Sequence, residues 1–388
     1  MVLQDFRLSG RSEGFPGNPP DIPRTEGIKY AGSKLRLLPY ILDMAAETGC
    51  SSVFVAFSGS TRVSQAFAAH GLAVTANDSA VYSKILNTAW LLNDRPPAAY
   101  AELIAHLNSL PPQRGWFTEH YGGLCAEGRS LGADGCKKPW QEKNTMKLDA
   151  VRSEIDRLQL DELTRAVCLT SLMLALDRVD NTMGHFVSYL GKWSKRSYGD
   201  LHLTLPPLRI NPPEKHTVLQ ADVFSAALHP SAVSAEAAYL DPPYGSCNDK
   251  MPPSRIRYRA YYHLWTTVCL NDRPLLTGRA LRRKDAGDNV APSVFEDFRK
   301  TPQGKYHAAE ALDRLIRTVR CPLVILSYGS CGRIDPASLQ EILCANGTLL
   351  RAEKINFRRH VMALMQTTRV WAQDSAEPNC EYLFLLRK

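Results

Sequence analysis

The sequence lacks long apolar runs, and this absence argues against a membrane-spanning protein. In its 388 residues no uninterrupted apolar stretch approaches the roughly 18 residues that a membrane span requires. The first ten residues, MVLQDFRLSG, also lack the basic start and apolar run of a signal peptide. We therefore expect a cytoplasmic protein.

Metal-binding spacings are missing as well. None of the ten cysteines forms a CxxC pair, and several fall in apolar strand or helix patterns. This usage is typical of reduced core thiols and not of a zinc site or a disulfide framework. His120, His185 and His263 are isolated from one another in the sequence, so we expect no metal.

A GxGxxG motif is absent too, although the pattern of strands and helices is that of a nucleotide-binding protein. The apolar strands SSVFVAF and LAVTAND alternate with the helical stretches RVSQAFAAHG and AVYSKILNTAWLLND. This alternation predicts an α/β fold with a mostly parallel sheet. Without the GxGxxG turn, which places a pyrophosphate on a helix N-terminus, a redox dinucleotide is disfavoured.

Three regions follow from this pattern. Residues 1–25 are rich in Gly and Pro and predict a mobile arm. Residues 26–92 and 215–388 carry the strands of the α/β domain, including HTVLQADVF, AAYLDPPY, PLVILSYGS, TLLRAEKI, HVMALMQ and EYLFLLRK. Residues 93–214 are helical and loop-rich, which indicates an insertion after the second strand.

Four features are expected at the carboxyl ends of the strands, where open parallel sheets bind ligands. They are FSGS at 57–60, Asp78, Asp222 and DPPY at 241–244. Alone each is weak, because a single Gly usually marks only a turn and an acid can equally cap a helix. Together they favour a nucleoside ligand without phosphates, of which S-adenosylmethionine is an example.

Five short motifs carry a family resemblance. KYAGSK (29–34), FSGS (57–60), ND (77–78), ADVF (221–224) and DPPY (241–244) stand in the order found in Dam-like N6-adenine DNA methyltransferases. The chain resembles this alpha-type family over roughly 26–92 and 215–388. The resemblance implies a Rossmann-like fold with a mostly parallel seven-stranded sheet and a recognition insertion at 93–214. It also implies S-adenosylmethionine as cofactor and the N6 amine of adenine in double-stranded DNA as substrate.

The resemblance assigns roles to individual residues. It implies that Tyr30 and Lys34 close over the cofactor, that Phe57 and Gly59 line its methionine part, that Asp78 holds the ribose, and that Asp222 with Val223 binds the adenine ring. In the family's mechanism the target base is flipped out of the duplex. The Asp241 carboxylate and Pro242 carbonyl then accept hydrogen bonds from its amine, the Pro242–Pro243 pair keeps the geometry rigid, and Tyr244 stacks on the base.

Basic residues predict contacts with DNA in two places. From Lys250 to Lys284 nine Lys and Arg residues stand against one acid, so this window carries a charge of +8, equal to that of the whole chain. We expect Arg255, Arg257 and Arg259 to meet phosphates there, unless the window is only a solvated loop. In the insertion, YLGKWSKRSYG mixes cations with aromatic rings, and Lys192, Trp193, Lys195 and Arg196 are candidate contacts. Packing of these rings on the core is an equally good interpretation.

The sequence departs from the family pattern at three positions. Val55, Ala56 and Thr61 stand where the family usually has an acid, a Pro and a second Gly. The missing acid removes a partner for the ammonium group of the cofactor. Alternatives therefore stay open: an N4-cytosine methyltransferase, a DNA-binding module that has lost catalysis, or an RNA or protein methyltransferase. A cognate restriction nuclease is a possible partner.

Overall fold

The computed structural model describes residues 9–11, 22–124, 128–245, 258–286, 293–297, 299–330, 332–356 and 380–388. Two of the predicted phosphate contacts, Arg255 and Arg257, and the predicted strand at 360–366 lie outside the described residues. Most of the predicted N-terminal arm does so as well, apart from residues 9–11 and 22–25.

Eight of the described strands form one sheet. In chain order the strands are β1 (Ser9–Arg11), β2 (Ser52–Val55), β3 (Ala73–Asn77), β4 (Gly122–Gly123), β5 (Trp140–Gln141), β6 (Thr217–Leu219), β7 (Ala237–Leu240), β8 (Leu276–Thr277), β9 (Arg282–Arg283), β10 (Leu323–Gly329), β11 (Thr348–Asn356) and β12 (Cys380–Arg387). The sheet has the order β1-β11-β12-β10-β7-β2-β3-β6. Only β12 runs antiparallel to its neighbours. Apart from the three-residue edge strand β1, this is the predicted mostly parallel seven-stranded sheet, and the predicted fold class is confirmed.

Helices cover both faces of this sheet. In chain order they are α1 (Leu38–Thr48), α2 (Arg62–Ala69), α3 (Val81–Leu91), α4 (Ala98–Ser109), α5 (Trp116–Tyr121), α6 (Glu142–Arg157), α7 (Glu162–Val179), α8 (Val223–Ala226), α9 (Pro230–Val233), α10 (Tyr258–Tyr261), α11 (His263–Leu270), α12 (His307–Thr318) and α13 (Pro336–Asn346). Side chains alternate along β2, as the strand period requires. Val53 and Val55 join the apolar cluster of α1 and α2, and Phe54 joins that of α12 and α13.

The insertion does not have a core of its own. Its helices α4–α7 share one apolar cluster with α3 and α11, which belong to the sequence on either side of it. Trp140 and Trp265 lie in this cluster with their rings 6.3 Å apart, both fully buried. The Trp140 indole nitrogen donates to the Leu176 carbonyl at 3.0 Å. The insertion is therefore anchored firmly to the helices beside the sheet.

Several absences apply to the described residues. None of their helices is both long and apolar enough to cross a membrane. They contain no group of three or more His, Cys, Asp or Glu side chains arranged to hold a metal. The described cysteines are free thiols, and those at 168, 269, 321 and 380 are buried in the core.

Candidate active site

Polar contacts hold the segment that leads into the first motif. Arg62 in α2 donates to the carbonyls of Thr25 and Gly27 at 2.7 and 3.2 Å. The Lys29 ammonium lies 2.8 Å from Asp180, beyond α7 in the insertion. The segment is thus fixed between the α/β domain and the insertion, and Tyr30 follows at once.

The four predicted features lie on four neighbouring strands. Asp241 follows β7, Phe57 follows β2, Asp78 follows β3 and Asp222 follows β6, and these strands are adjacent in this order. Because the strands are parallel, their carboxyl ends meet at one edge of the sheet. The structure therefore brings the predicted catalytic and cofactor residues to a single edge.

Asn77 joins the loops at this edge, and sequence reasoning missed it. Its amide nitrogen donates to the Ala56 and Ala221 carbonyls at 3.1 and 3.3 Å, and its amide oxygen accepts from the Ala221 N–H at 3.1 Å. Its backbone carbonyl accepts from the Ser58 N–H at 2.8 Å. The side chain is buried, so these bonds are shielded from water and fix the loops after β2 and β6. Its only signal was its place before Asp78 in the ND motif.

Gly59 lies between Asp78 and Tyr30 at this edge of the sheet. Gly59 has φ +52°, a conformation that favours glycine, and its N–H donates to Asp78 Oδ2 at 2.8 Å. The other oxygen of Asp78 accepts from the Ala80 N–H at 2.9 Å. A Cβ on Gly59 would lie 3.2 Å from the Tyr30 ring. Burial raises the pKa of Asp78, although the backbone N–H groups of Ala80 and Gly59 oppose the shift.

Tyr30 belongs to a stack of tyrosines. Its ring lies 4.4 Å from that of Tyr262 and 5.3 Å from that of Tyr258, nearly parallel to both. The Tyr262 hydroxyl accepts from the Ala31 N–H at 2.6 Å, and the Tyr258 hydroxyl donates to the Ala31 carbonyl at 3.2 Å. Tyr258 in α10 and Tyr262, which follows α10, thus hold the first motif in place. The sequence did not suggest this role.

Aromatic rings surround the remaining cofactor candidates. Phe57 meets Phe295 edge-on at 5.3 Å, and Phe224 stacks on Phe295 at 6.0 Å. Asp222 is exposed and caps α8 by accepting from the Phe224 N–H at 3.0 Å. The Val223 side chain is buried in the apolar cluster beneath, so only its backbone can face a ligand. Sequence reasoning missed Phe295, because no motif marks it.

Lys34 lies on the predicted catalytic carboxylate. Its ammonium is 2.9 Å from Asp241 Oδ1 and 3.1 Å from Glu381 Oε1, and it donates to the Gly32 carbonyl at 3.2 Å. The Ser327 hydroxyl donates to the same oxygen of Glu381 at 2.8 Å. The resemblance had implied a cofactor contact for Lys34, whereas the contacts in the structure are with these two acids. Glu381, on β12, was not among the predicted site residues.

Burial and the charges of this cluster shift the pKa values of Asp241 and Lys34. Burial raises the pKa of Asp241 to about 7. The Lys34 ammonium opposes this rise, and the charge of Glu381 adds to it. Although burial lowers the pKa of Lys34, the carboxylates of Asp241 and Glu381 raise it well above its ordinary value. Lys34 is therefore a cation at neutral pH, while Asp241 titrates near it.

Tyr244 stands beside Asp241 with little room behind its ring. The Lys34 ammonium lies 5.3 Å from the ring centre, and the ring of Tyr328 is 5.1 Å away. A Cβ on Gly329 would lie 2.8 Å from the Tyr244 ring. Pro242 is buried and Pro243 half-buried. The DPPY loop thus presents a carboxylate, a carbonyl and an aromatic ring that are packed from behind.

The candidate DNA contacts differ in exposure. Lys192, Lys195 and Arg259 are exposed. Arg196 is exposed as well, but its guanidinium is held by Asp180 at 2.7 Å. The prediction of a DNA contact does not fit Trp193, whose side chain is 7% exposed and whose indole nitrogen donates to the Leu124 carbonyl at 3.1 Å. Its ring packs so closely on Gly123 that a Cβ there would lie 2.7 Å from it.

Comparison with known proteins gives the family. The model of the D12 class N6 adenine-specific DNA methyltransferases matches residues 30–289. The chain belongs to this family. It is therefore a site-specific adenine DNA methyltransferase that uses a methyl donor and takes DNA as its substrate, and the predicted family and reaction are confirmed.

Relatives of this methyltransferase include modification enzymes. The Type II methyltransferase M.NlaIII of Neisseria lactamica is 28% identical over 328 residues, which cover 81% of this chain and 87% of that protein. Modification methylase StsI of Streptococcus sanguinis is 26% identical, and the Type II methyltransferase M.FokI of Planomicrobium okeanokoites is 24% identical. The matches cover 81% and 93% of this chain but only 46% and 53% of those two proteins.

Proposed function

We propose that this methyltransferase moves the methyl group of S-adenosylmethionine to the N6 amine of an adenine flipped out of double-stranded DNA, with Asp241, Pro242, Pro243 and Tyr244 as its catalytic loop. The observation that carries this proposal is the position of Asp241. It follows β7, directly beside the loop of Phe57 and Gly59 that follows β2, so amine and methyl donor would meet between adjacent strands.

The residues at the sheet edge fit S-adenosylmethionine. Gly59 brings backbone close to the pocket, where a side chain would strike the Tyr30 ring. Asp78 would supply carboxylate oxygens for ribose hydroxyls, Phe57 would line the methionine part, and the rings of Phe224 and Phe295 suit the adenine at Asp222. When bound, the cofactor supplies an electrophilic methyl group on a sulfonium.

The catalytic loop would act on the amine by hydrogen bonding and stacking. Lys34 contacts Asp241 through Oδ1, so Oδ2 and the Pro242 carbonyl are suited to accept the two amine protons. Such acceptors favour a pyramidal nitrogen whose lone pair points at the methyl carbon. Tyr244 stacks on the base, which contributes about 1–3 kcal/mol per base in related complexes. Because Tyr244 and Pro242 are packed from behind, the geometry is set before the substrate arrives.

DNA contacts would come from exposed cations. Lys192 and Lys195 of the insertion and Arg259 of α10 are exposed and would meet phosphates, and we propose the same for Arg255 and Arg257, which precede α10 in the sequence. Arg283 in the same basic window is instead neutralised by Asp272 and Asp285 at 2.7 and 2.9 Å. We infer a cytoplasmic enzyme that protects DNA against a cognate nuclease, in keeping with the modification enzymes among its relatives.

The test is transfer of labelled methyl groups from S-adenosylmethionine to DNA from a host without adenine methylation, followed by analysis of the nucleosides. We expect label in N6-methyladenosine with the wild-type protein and none with Asp241→Ala. Glu236→Ala is the matched control, since Glu236 precedes β7 at the opposite edge of the sheet. This control should keep wild-type activity.

Other outcomes would each remove part of the proposal. Label in N4-methylcytosine would be compatible with the fold but would show that the target base is cytosine and not adenine. DNA binding without label at saturating cofactor would indicate a module that has lost catalysis. Full activity of Asp241→Ala would remove Asp241 from the mechanism.

A further inference from the structure

Lys34 is shared between two carboxylates, Asp241 directly after β7 and Glu381 on β12. Its ammonium has three N–H donors, and the three contacts to Asp241, Glu381 and Gly32 lie between 2.9 and 3.2 Å. Lys34 and Glu381 are both more than nine-tenths buried. Burying charged groups is costly unless each of them is paired. A second buried carboxylate on Lys34, beside Asp241, therefore points to a role in the site.

The position of Glu381 is fixed by the two strands that meet there. Glu381 lies on β12 and pairs with Gly329 of β10. The Ser327 hydroxyl, two residues earlier on β10, donates to Glu381 Oε1 at 2.8 Å, the same oxygen that contacts Lys34. Glu381 is therefore held with one oxygen directed at the ammonium, and Gly329 beside it leaves room for the Tyr244 ring.

The cluster has one positive and two negative charges when all three groups are ionised. Lys34 and Asp241 alone would form a neutral pair, and the amine would meet no net charge. With Glu381 present the cluster keeps a net negative charge next to the nitrogen. Preorganised charge of this kind stabilises opposite charge that develops during a reaction.

We propose that Glu381, oriented by Ser327, is a positioning residue for methyl transfer: it shares the Lys34 ammonium with Asp241 and so leaves the catalytic carboxylate negative enough to stabilise the nitrogen as that nitrogen becomes cationic. This inference rests on the proposed role of Asp241.

Charge develops on the nitrogen as follows. The N6 lone pair forms the new N–C bond, and the methyl–sulfur bond breaks with its electron pair staying on sulfur. The nitrogen then carries a positive charge until one of its protons passes to the Asp241 carboxylate, from which the proton leaves to water. No further reactant is required.

Among the residues that the structure describes, few charged groups face Asp241. Besides Lys34 and Glu381, the phenols of Tyr239, Tyr244 and Tyr258 surround it, and burial raises the pKa of each of them. These phenols are uncharged at neutral pH. Within the described part of the chain, Lys34 and Glu381 are therefore the charged groups that shift the titration of Asp241.

Glu381→Gln tests the inference, because glutamine keeps the size of the side chain and its acceptor oxygen but removes the charge. We expect kcat to fall about 10- to 100-fold with little change in KM for DNA, as for loss of an interaction made mainly in the transition state. We also expect the acid limb of the pH–rate profile to move to lower pH, since the charge that raised the pKa of Asp241 is gone. Lys34→Met should move it the opposite way.

A readout independent of activity is the infrared titration of the protonated Asp241 carboxyl in the protein alone, assigned by its loss in Asp241→Asn. Its midpoint should shift down in Glu381→Gln and up in Lys34→Met. Glu353→Gln is the matched control: Glu353 is a buried glutamate on the adjacent strand β11, bonded to Arg351. It should leave kcat and the midpoint unchanged.

The results separate the two proposals. Wild-type kcat and an unshifted midpoint in Glu381→Gln, with Asp241→Ala inactive, would overturn this inference and leave the proposed function standing. Full activity of Asp241→Ala would overturn both. If Glu381→Gln does not fold, Ser327→Ala replaces it. Loss of that one hydrogen bond should lower kcat about fivefold, and an unchanged kcat in folded Ser327→Ala would overturn the inference.

Discussion

Gly59→Ala is the substitution that tests the cofactor pocket most directly. Gly59 has φ +52°, and an L-residue in this left-handed region costs about 1–2 kcal/mol. The new Cβ would also lie 3.2 Å from Cε1 of Tyr30, closer than ordinary van der Waals contact. Two separate effects are therefore expected, one on the stability of the turn and one on the pocket.

The Tyr30 ring cannot simply move away from the new methyl group. It stacks on Tyr262 at 4.4 Å, and Tyr262 in turn is tied to the Ala31 N–H at 2.6 Å. The strain must fall on the turn of Gly59 and on its hydrogen bond to Asp78, where we propose that the cofactor binds. We expect the affinity for S-adenosylmethionine to fall about tenfold, which corresponds to about 1.4 kcal/mol.

Gly49→Ala is the matched control. Gly49 has φ +65° at the end of α1, and among the described residues nothing lies within 4 Å of a Cβ placed there. Both variants should lose a similar free energy of unfolding in urea, whereas calorimetric titration should show weaker cofactor binding for Gly59→Ala alone. Equal cofactor affinity in the two variants would refute the proposal that the cofactor binds next to Gly59.

Three further outcomes are expected. Tyr244→Ala should lower kcat/KM for DNA about 5- to 150-fold, the equivalent of a stacking energy of 1–3 kcal/mol, while Tyr244→Phe keeps most of the initial rate. Trp193→Ala should reduce the free energy of unfolding in urea by about 3–5 kcal/mol without changing the affinity of the folded protein for DNA, which would weaken by about 1–3 kcal/mol if Trp193 stacked on a base. Activity should be lost as the pH falls through the raised pKa of Asp241, about 7, because the ionised carboxylate is the acceptor; a pH–rate profile that stays flat through this range would contradict that role.

The sequence predicted the sheet edge well, and the reason is topological. Asp78, Asp222 and Asp241 each end an apolar strand, and parallel strands place their carboxyl ends together. The order of the motifs along the chain then sufficed to name the family. Local pattern and fold agree here, so the residues could be placed without knowing any distance.

The sequence could not predict contacts that depend on the antiparallel strand or on packing. Glu381 reaches Lys34 only because β12 returns between β10 and β11, and no motif surrounds it. Trp193 lies among cations in the sequence, and a local pattern does not distinguish a ring packed on Gly123 from one that waits for a base. In both cases the deciding partner is far away in the chain.

Two of the three departures from the family pattern, Thr61 and Val55, do not have equal weight. Thr61 takes the place of a glycine, yet it keeps the left-handed backbone, with φ +69°, and its hydroxyl accepts from Gln65 at 2.7 Å. The turn before α2 therefore has the shape that a glycine would give, at the cost of local strain. Val55 is different. It stands where the family usually has an acid, and its apolar side chain is fully buried against α1 and α2, so its backbone shape cannot supply the missing negative charge. Weak binding of the cofactor's ammonium group, if measured, would consequently be attributed to Val55 and not to Thr61.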